Sequence, residues 1–405
     1  DRSPARLRQR TTPVQRAAFL SCFFAGYLIH LFAFTNIIPN SDGLSRVFDL
    51  QQMTVSGRWF LHYASYLNAF TQMPALIGFF SMVFLSLAAA GVAAALNLHS
   101  RSLAAFAGVL MAAFPCLGYT FLYMFTASPY CLAIFLAVLA VCLVKKGGWP
   151  RTLTGVVLLA LSMGIYQAYA AVAVSLSLLV VLRECLNTRA ALKGTACLGF
   201  RLAGFLAVGA ALYYAILQIF LTVKNLELLD YLGMSEAGGG YPILRLPSLI
   251  LTTYKQVILF FFWPSPSNSF TTPVLVVLNL FLLALSAVCL LAIVLRRALW
   301  REPWRLAGVL VLAALLPLAV GFAQIISPFS DATPIMKYAY VFVYLAALSV
   351  ADLGLSFLPR PRGGMAASGA LAVCLMGVIL YSANINNLLY TASDQAHRAT
   401  LSYAT

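Results

Sequence analysis

Apolar residues fall in long unbroken runs along this chain, separated by short polar or basic interruptions. The runs at 17–37, 75–97, 103–122, 130–145, 152–166, 168–185, 198–222, 272–295, 305–325, 337–357 and 366–384 each read as a helix crossing hydrocarbon. Such a crossing takes roughly 20 residues. Helices and closed barrels are the backbones that satisfy their own hydrogen bonds in lipid, and the alternating strands of a barrel do not occur here. The pattern predicts an all-α polytopic membrane bundle of about eleven transmembrane helices, with 1–405 as one transmembrane domain. Residues 152–185 exceed one comfortable helix, so the chain is expected to break at Tyr166-Gln167 into two short ones.

Two longer segments interrupt the pattern. Residues 38–74 follow the first run and read as an outer loop with interfacial helices. Residues 223–271 form a second long outer loop. Within it, 249–263 is apolar but short and keeps Lys255 mid-run, which predicts an interfacial or re-entrant helix ended by Pro264 and Pro266.

Composition agrees. Of 405 residues, 62% are hydrophobic and 9% charged, against about 25% charged in a soluble domain. The net charge of +15 does not gather on a solvated face as nucleic-acid binding requires. Instead 19 of the 26 Lys and Arg residues fall on one side of the alternating runs: Arg2, Arg6, Arg8, Arg10, Arg16, Arg101, Lys145, Lys146, Arg151, Arg183, Arg189, Lys193, Arg201, Arg296, Arg297, Arg301, Arg305, Arg360 and Arg362. By the positive-inside rule that side is cytoplasmic and the N-terminus lies within it. The Arg-rich start before a retained first helix reads as a cytosolic tail, not a signal peptide. The eight cysteines show no CxxC or Cys/His spacing and read as small buried thiols. No Walker-type phosphate loop occurs, and the inner loops are short, which excludes a nucleotide-binding domain.

Candidate chemistry concentrates on the other side. Asp42, Arg46 and Asp49 share one helix face at i, i+4 and i+7, and Ser56-Gly57-Arg58-Trp59 follows. A carboxylate with two arginines at an interface suits a phosphate-bearing lipid substrate and an acceptor hydroxyl to deprotonate. A solvated helix in which Arg46 pairs with Asp42 or Asp49 fits the same spacing. Lys255 and Lys337 sit where apolar runs meet water and could hold a lipid phosphate. Lys224, Glu227, Asp230, Glu236, Tyr241, Arg245 and Asp331 are further outer candidates, each also explained as a rim residue. Tyr119, Tyr123, Tyr130, Tyr166 and Tyr169 form an outer aromatic set. An interfacial belt is its default account, and sugar stacking is the alternative.

The stretches Pro39-Asn40-Ser41-Asp42-Gly43-Leu44-Ser45-Arg46 and Ser56-Gly57-Arg58-Trp59 resemble the type II integral membrane glucosyltransferases of bacteria and phages. Thr120 to Tyr130 and Gly164-Ile165-Tyr166-Gln167-Ala168-Tyr169 are similar too. The likeness runs over roughly residues 20–180 and elsewhere is one of hydrophobic profile. It implies a family-C glycosyltransferase-like fold in a bacterial inner membrane, with a polyprenyl-phosphate-linked sugar donor and a surface glycan acceptor. The implied active site faces outward, with Asp42 as catalytic base. Arg46, Arg58, Lys255 and Lys337 are then expected on the donor phosphate. Asp49, Tyr123, Tyr130, Tyr166, Gln167, Asp230 and Tyr241 are candidates for sugar or acceptor contact. Relatives carry paired acids where this chain has Ser41-Asp42. No cofactor is expected, and a lone carboxylate is a poor divalent-metal site. A transporter or flippase of lipid-linked sugars competes with this reading. It would need charge within the spans, where His30 stands nearly alone.

Overall fold

The computed structural model describes residues 11–38, 50–68, 72–187, 190–228, 246–264, 270–326, 332–357 and 362–404. Among them there is no strand. The helices are α1 (Pro13–Ile29), α2 (Leu31–Thr35), α3 (Leu50–Val55), α4 (Leu61–Ala64), α5 (Pro74–Ala95), α6 (Arg101–Ala113), α7 (Pro115–Leu122), α8 (Met124–Lys146), α9 (Trp149–Ile165), α10 (Ala170–Cys185), α11 (Leu192–Val223), α12 (Leu246–Phe262), α13 (Pro273–Arg296), α14 (Pro303–Val320), α15 (Phe322–Ile326), α16 (Val341–Gly354) and α17 (Arg362–Ala404). The chain is an all-α polytopic bundle, and helical segments cover the expected spans, with breaks at His30, Phe114 and Gly321 inside three of them.

Eight helices are long and apolar enough to cross a membrane, and the bent pair α6–α7 makes a ninth. The bend is 41°. Pro115 has no N–H to donate and excludes Phe114 from helical geometry, so the helix restarts at Pro115 in a new direction. α1 and α9 have 17 residues each. α9 and α10 are separated by a 3₁₀ turn at Gln167–Tyr169, where the sequence places its break. A helix, α12, covers the short apolar segment 249–263 up to Phe262.

One boundary differs. The last run, read as 366–384, is part of a helix reaching Ala404. Hydropathy falls at Asn384, but no proline follows to stop the helix. Asn386 and Tyr390 remain buried in the bundle, where Asn386 donates to Ala113 O at 2.8 Å. The thiols also divide: Cys142 is half-buried and Cys197 exposed on α11, while the other six are buried.

Packing is tight near the start of the chain. α1 lies against α5 and α6, and a Cβ on Gly108 would come within 2.3 Å of Ala18 O. His30 bridges three helices. Its Nε2 donates to Ala112 O at 2.8 Å, so Nδ1 accepts from the Tyr390 hydroxyl at 2.7 Å. That makes it a neutral, satisfied histidine between helices. α8 and α10 are central, whereas α11, α13 and α14 turn most of their apolar surface outward, as lipid-facing helices do.

The alternation of helices creates two chemically different ends. α5, α8, α10, α13 and α16 all finish at one end, which gathers cations that the sequence assigns to the inside. Lys145 donates to Ala95 O at 2.6 Å and Asn97 Oδ1 at 3.0 Å, and Arg201 donates to Lys145 O at 3.0 Å. Arg305 donates to the carbonyls of Asn187 and Ala190, and Arg297 to that of Leu186. Cations there complete the unsatisfied carbonyls of helix C-termini and complement their dipoles. Asp352 is the hub. It accepts from Arg183 at 2.7 Å, from the Ser100 amide at 2.9 Å and from the His99 amide at 3.1 Å.

Candidate functional site

The opposite end carries the sequence-predicted residues that the structure brings together. They converge on α3 and the turn after it. Gly57 ends α3 with φ +80°, a conformation that costs glycine nothing. The Gly57 amide donates to Thr54 O at 2.9 Å and the Arg58 amide to Met53 O at 2.8 Å. This is a Schellman closure, which sends the chain sharply away from the helix axis.

The turn is fastened to the apex of α9–α10. Phe60 N–H donates to Gly164 O at 2.8 Å, and Gln167 Nε2 donates back to Ser56 O at 2.7 Å. From α11, the Tyr213 hydroxyl donates to Gly57 O at 3.0 Å. Trp59 is buried and stacked on Phe220 at 5.7 Å and on Tyr213 at 6.5 Å. Its indole fits because residue 164 lacks a side chain: a Cβ there would lie 2.7 Å from the ring.

Held this way, the half-buried Arg58 lays its guanidinium over the Tyr166 ring, 4.9 Å from the centroid. Tyr166 is stacked on Tyr130 at 4.7 Å, and both meet Tyr169 edge-on at 5.9 Å or less. Tyr169 meets Tyr338 at 6.3 Å, so the cluster reaches the 3₁₀ segment Pro334–Tyr340 that carries Lys337. Tyr130 and Tyr166 are 4% and 6% exposed. They form no lipid-facing belt; they are the floor beneath Arg58.

The remaining candidates lie around or away from this cluster. Lys337 is half-buried and close enough to act electrostatically on Cys116. Tyr123 is half-buried at the junction of α7 and α8. Lys255 is exposed on α12, which packs on α13, α14 and α15. Lys224 lies over the Phe220 ring at 5.5 Å. His62 is held below the ordinary histidine range by desolvation and then by nearby Lys224. Asp42, Arg46, Asp49, Asp230, Glu236, Tyr241, Arg245 and Asp331 lie outside the described residues. Among the described residues no three His, Cys, Asp or Glu side chains come together to hold a metal.

Sequence reasoning missed Tyr213, Tyr338 and Phe220. The available signal for Tyr213 was a hydroxyl inside an apolar run, since a buried phenol needs a partner. A cavity of about 690 Å³ lies at the basic end, lined by Leu103, Phe106, Asp352, Met365 and Leu371 among others. Among the described residues, none of the predicted site residues lines it.

What can the tyrosine end do? A planar cation seated on an aromatic floor directs its N–H donors in a fixed plane, a geometry suited to an anion such as phosphate. The family model described as Glucosyl transferase GtrII matches residues 31–350. That range takes in Arg58, its tyrosine floor, Gln167, Tyr213 and Lys337. No curated protein and no solved structure matches the chain. The family match spans most of the bundle, and the chain belongs to the GtrII glucosyltransferase family.

Proposed function

We propose that this glucosyltransferase moves glucose from a polyprenyl-phosphate carrier to a cell-envelope glycan, with inversion, at the tyrosine end of the bundle. In this reading that end faces outward from a bacterial inner membrane and the basic end faces the cytoplasm. The observation that carries the proposal is the Arg58 guanidinium seated on Tyr166, remote from the carbonyl-capping cations of the other end. The charge bias of the sequence supports the orientation.

The acceptor hydroxyl oxygen attacks the anomeric carbon while its proton passes to the Asp42 carboxylate. The bond from that carbon to the phosphate oxygen breaks, and its electron pair leaves on polyprenyl phosphate. Negative charge grows on the phosphate as the bond breaks, so Arg58 stabilises the transition state more than the bound donor. Arg46 and Lys337 are proposed to assist, and Lys255 to meet the donor further out. Phosphate is a fair leaving group, so no general acid is required.

The test uses full-length protein in nanodiscs, polyprenyl-phosphate glucose and a crude glycan acceptor. Asp42→Asn is expected to bind donor normally and to lose turnover. Unchanged turnover would remove the base assignment.

A further inference from the structure

The turn that carries Arg58 is braced far more than a surface loop requires. The Schellman closure after α3 uses the amides of Gly57 and Arg58, leaving the carbonyls of Ser56 and Gly57 directed away from their own segment. These are the two peptide units immediately before Arg58. Each is met by a side chain from a different part of the bundle: Gln167 Nε2 on Ser56 O at 2.7 Å and Tyr213 Oη on Gly57 O at 3.0 Å. After Arg58 the chain is fixed again, by buried Trp59 against Gly164 and by the Phe60 amide on Gly164 O. The Arg58 backbone is thus clamped on both sides, and its placement depends on side-chain torsions over Tyr166.

We propose that Gln167 and Tyr213 are positioning residues for glucosyl transfer, which hold the Gly57–Arg58 turn so that the guanidinium meets the donor phosphate where charge develops. The inference rests on Arg58 acting at that phosphate. Neither side chain touches substrate in this account; both act through Arg58. A displacement of about 1 Å in a charged stabilising group can cost as much as 10²-fold in rate. Substrate binding is less sensitive, because a flexible arginine still attracts an anion from a displaced turn. A merely structural brace would instead lower stability and leave the turnover of folded enzyme unchanged.

Tyr213→Phe removes the hydroxyl and keeps the ring that stacks on Trp59. Gln167→Met removes the donor and keeps the length. Both are measured in nanodiscs for melting temperature, donor affinity and single-turnover rate with donor saturating. The expectation for each is a turnover loss of about tenfold, the scale of one lost hydrogen bond. Donor affinity should stay within about threefold, and melting should be little changed. The same substitutions are then made in the Arg58→Lys background. If the clamp acts through Arg58, whose planar fork lysine lacks, its loss there should reduce turnover by less than about twofold. An equal tenfold loss in that background would overturn the positioning role while leaving the Arg58 assignment intact. Wild-type turnover in Arg58→Ala would instead overturn the phosphate reading itself. A drop in melting temperature with unaltered single-turnover rate would leave Gln167 and Tyr213 as structural braces and sink the proposal.

Discussion

The two ends of the bundle hold their cations in different ways. At the basic end Lys145, Arg183, Arg201, Arg297 and Arg305 are spent on helix C-terminal carbonyls, and Arg183 on Asp352 as well. At the tyrosine end Arg58 and Lys224 lie over aromatic rings, as Arg297 and Arg305 also do beside their carbonyl bonds. A cation bonded to a carbonyl is structural: its donors are consumed and its removal orphans a buried acceptor. A guanidinium held by its face directs its N–H donors sideways, in its own plane. The proposed transfer from a lipid phosphate draws on the second kind.

The sharpest break in this comparison should come from Asp352. Its side chain is 1% exposed and that of Arg183 is 9% exposed, so Asp352→Ala removes the counter-charge of a buried guanidinium and the acceptor of two backbone amides. The expected loss of stability is about 3–5 kcal/mol, seen as a large drop in melting temperature, with a normal KM in whatever folds. Arg58→Ala is the converse. Its turnover should fall about 10²–10³-fold, or roughly 3–4 kcal/mol in the barrier, with melting nearly unchanged. An Arg58→Ala enzyme that unfolds like Asp352→Ala would erase the distinction between the ends.

Gly164→Val joins both kinds of effect. The added Cβ would press on the Trp59 indole at 2.7 Å, an overpacking cost of about 1–3 kcal/mol, and it should depress turnover together with stability. The smallest effect belongs to Lys224→Ala. An exposed cation over Phe220 contributes about 0.5–1 kcal/mol, and single-turnover rate should not change. A strong catalytic loss there would extend the site from Arg58 toward α11.

Most of the fold was legible because hydrocarbon imposes a length on every helix. The break at Tyr166-Gln167 and the basic end followed from length and from the alternation of Lys and Arg. Two features were not legible. The end of hydropathy at Asn384 marks where lipid would stop, whereas the helix runs on because nothing in 385–404 ends it. The bend at Pro115 was hidden by an apolar run that continues through it. At the site, Arg58, Tyr130, Tyr166 and Gln167 were legible as candidates at one end of the bundle. Their arrangement was not: Gln167 was a candidate for sugar or acceptor contact, and the structure shows its amide holding Ser56 O. Tyr213 was invisible because periodicity cannot say which of two adjacent tyrosines in α11 turns inward; Tyr213 is buried and Tyr214 is 51% exposed.

The central claim is that donor phosphate is handled at the tyrosine end. A polyprenyl-phosphate glucose analogue with a photoreactive group beside the phosphate tests it most directly, by cross-linking in nanodiscs and mapping the labelled peptides. Labelling is expected in residues 50–68 and 164–170, competed by unmodified donor and reduced by Arg58→Ala. Competed labelling confined to residues 97–106 and 349–372, around the basic-end cavity, would contradict it.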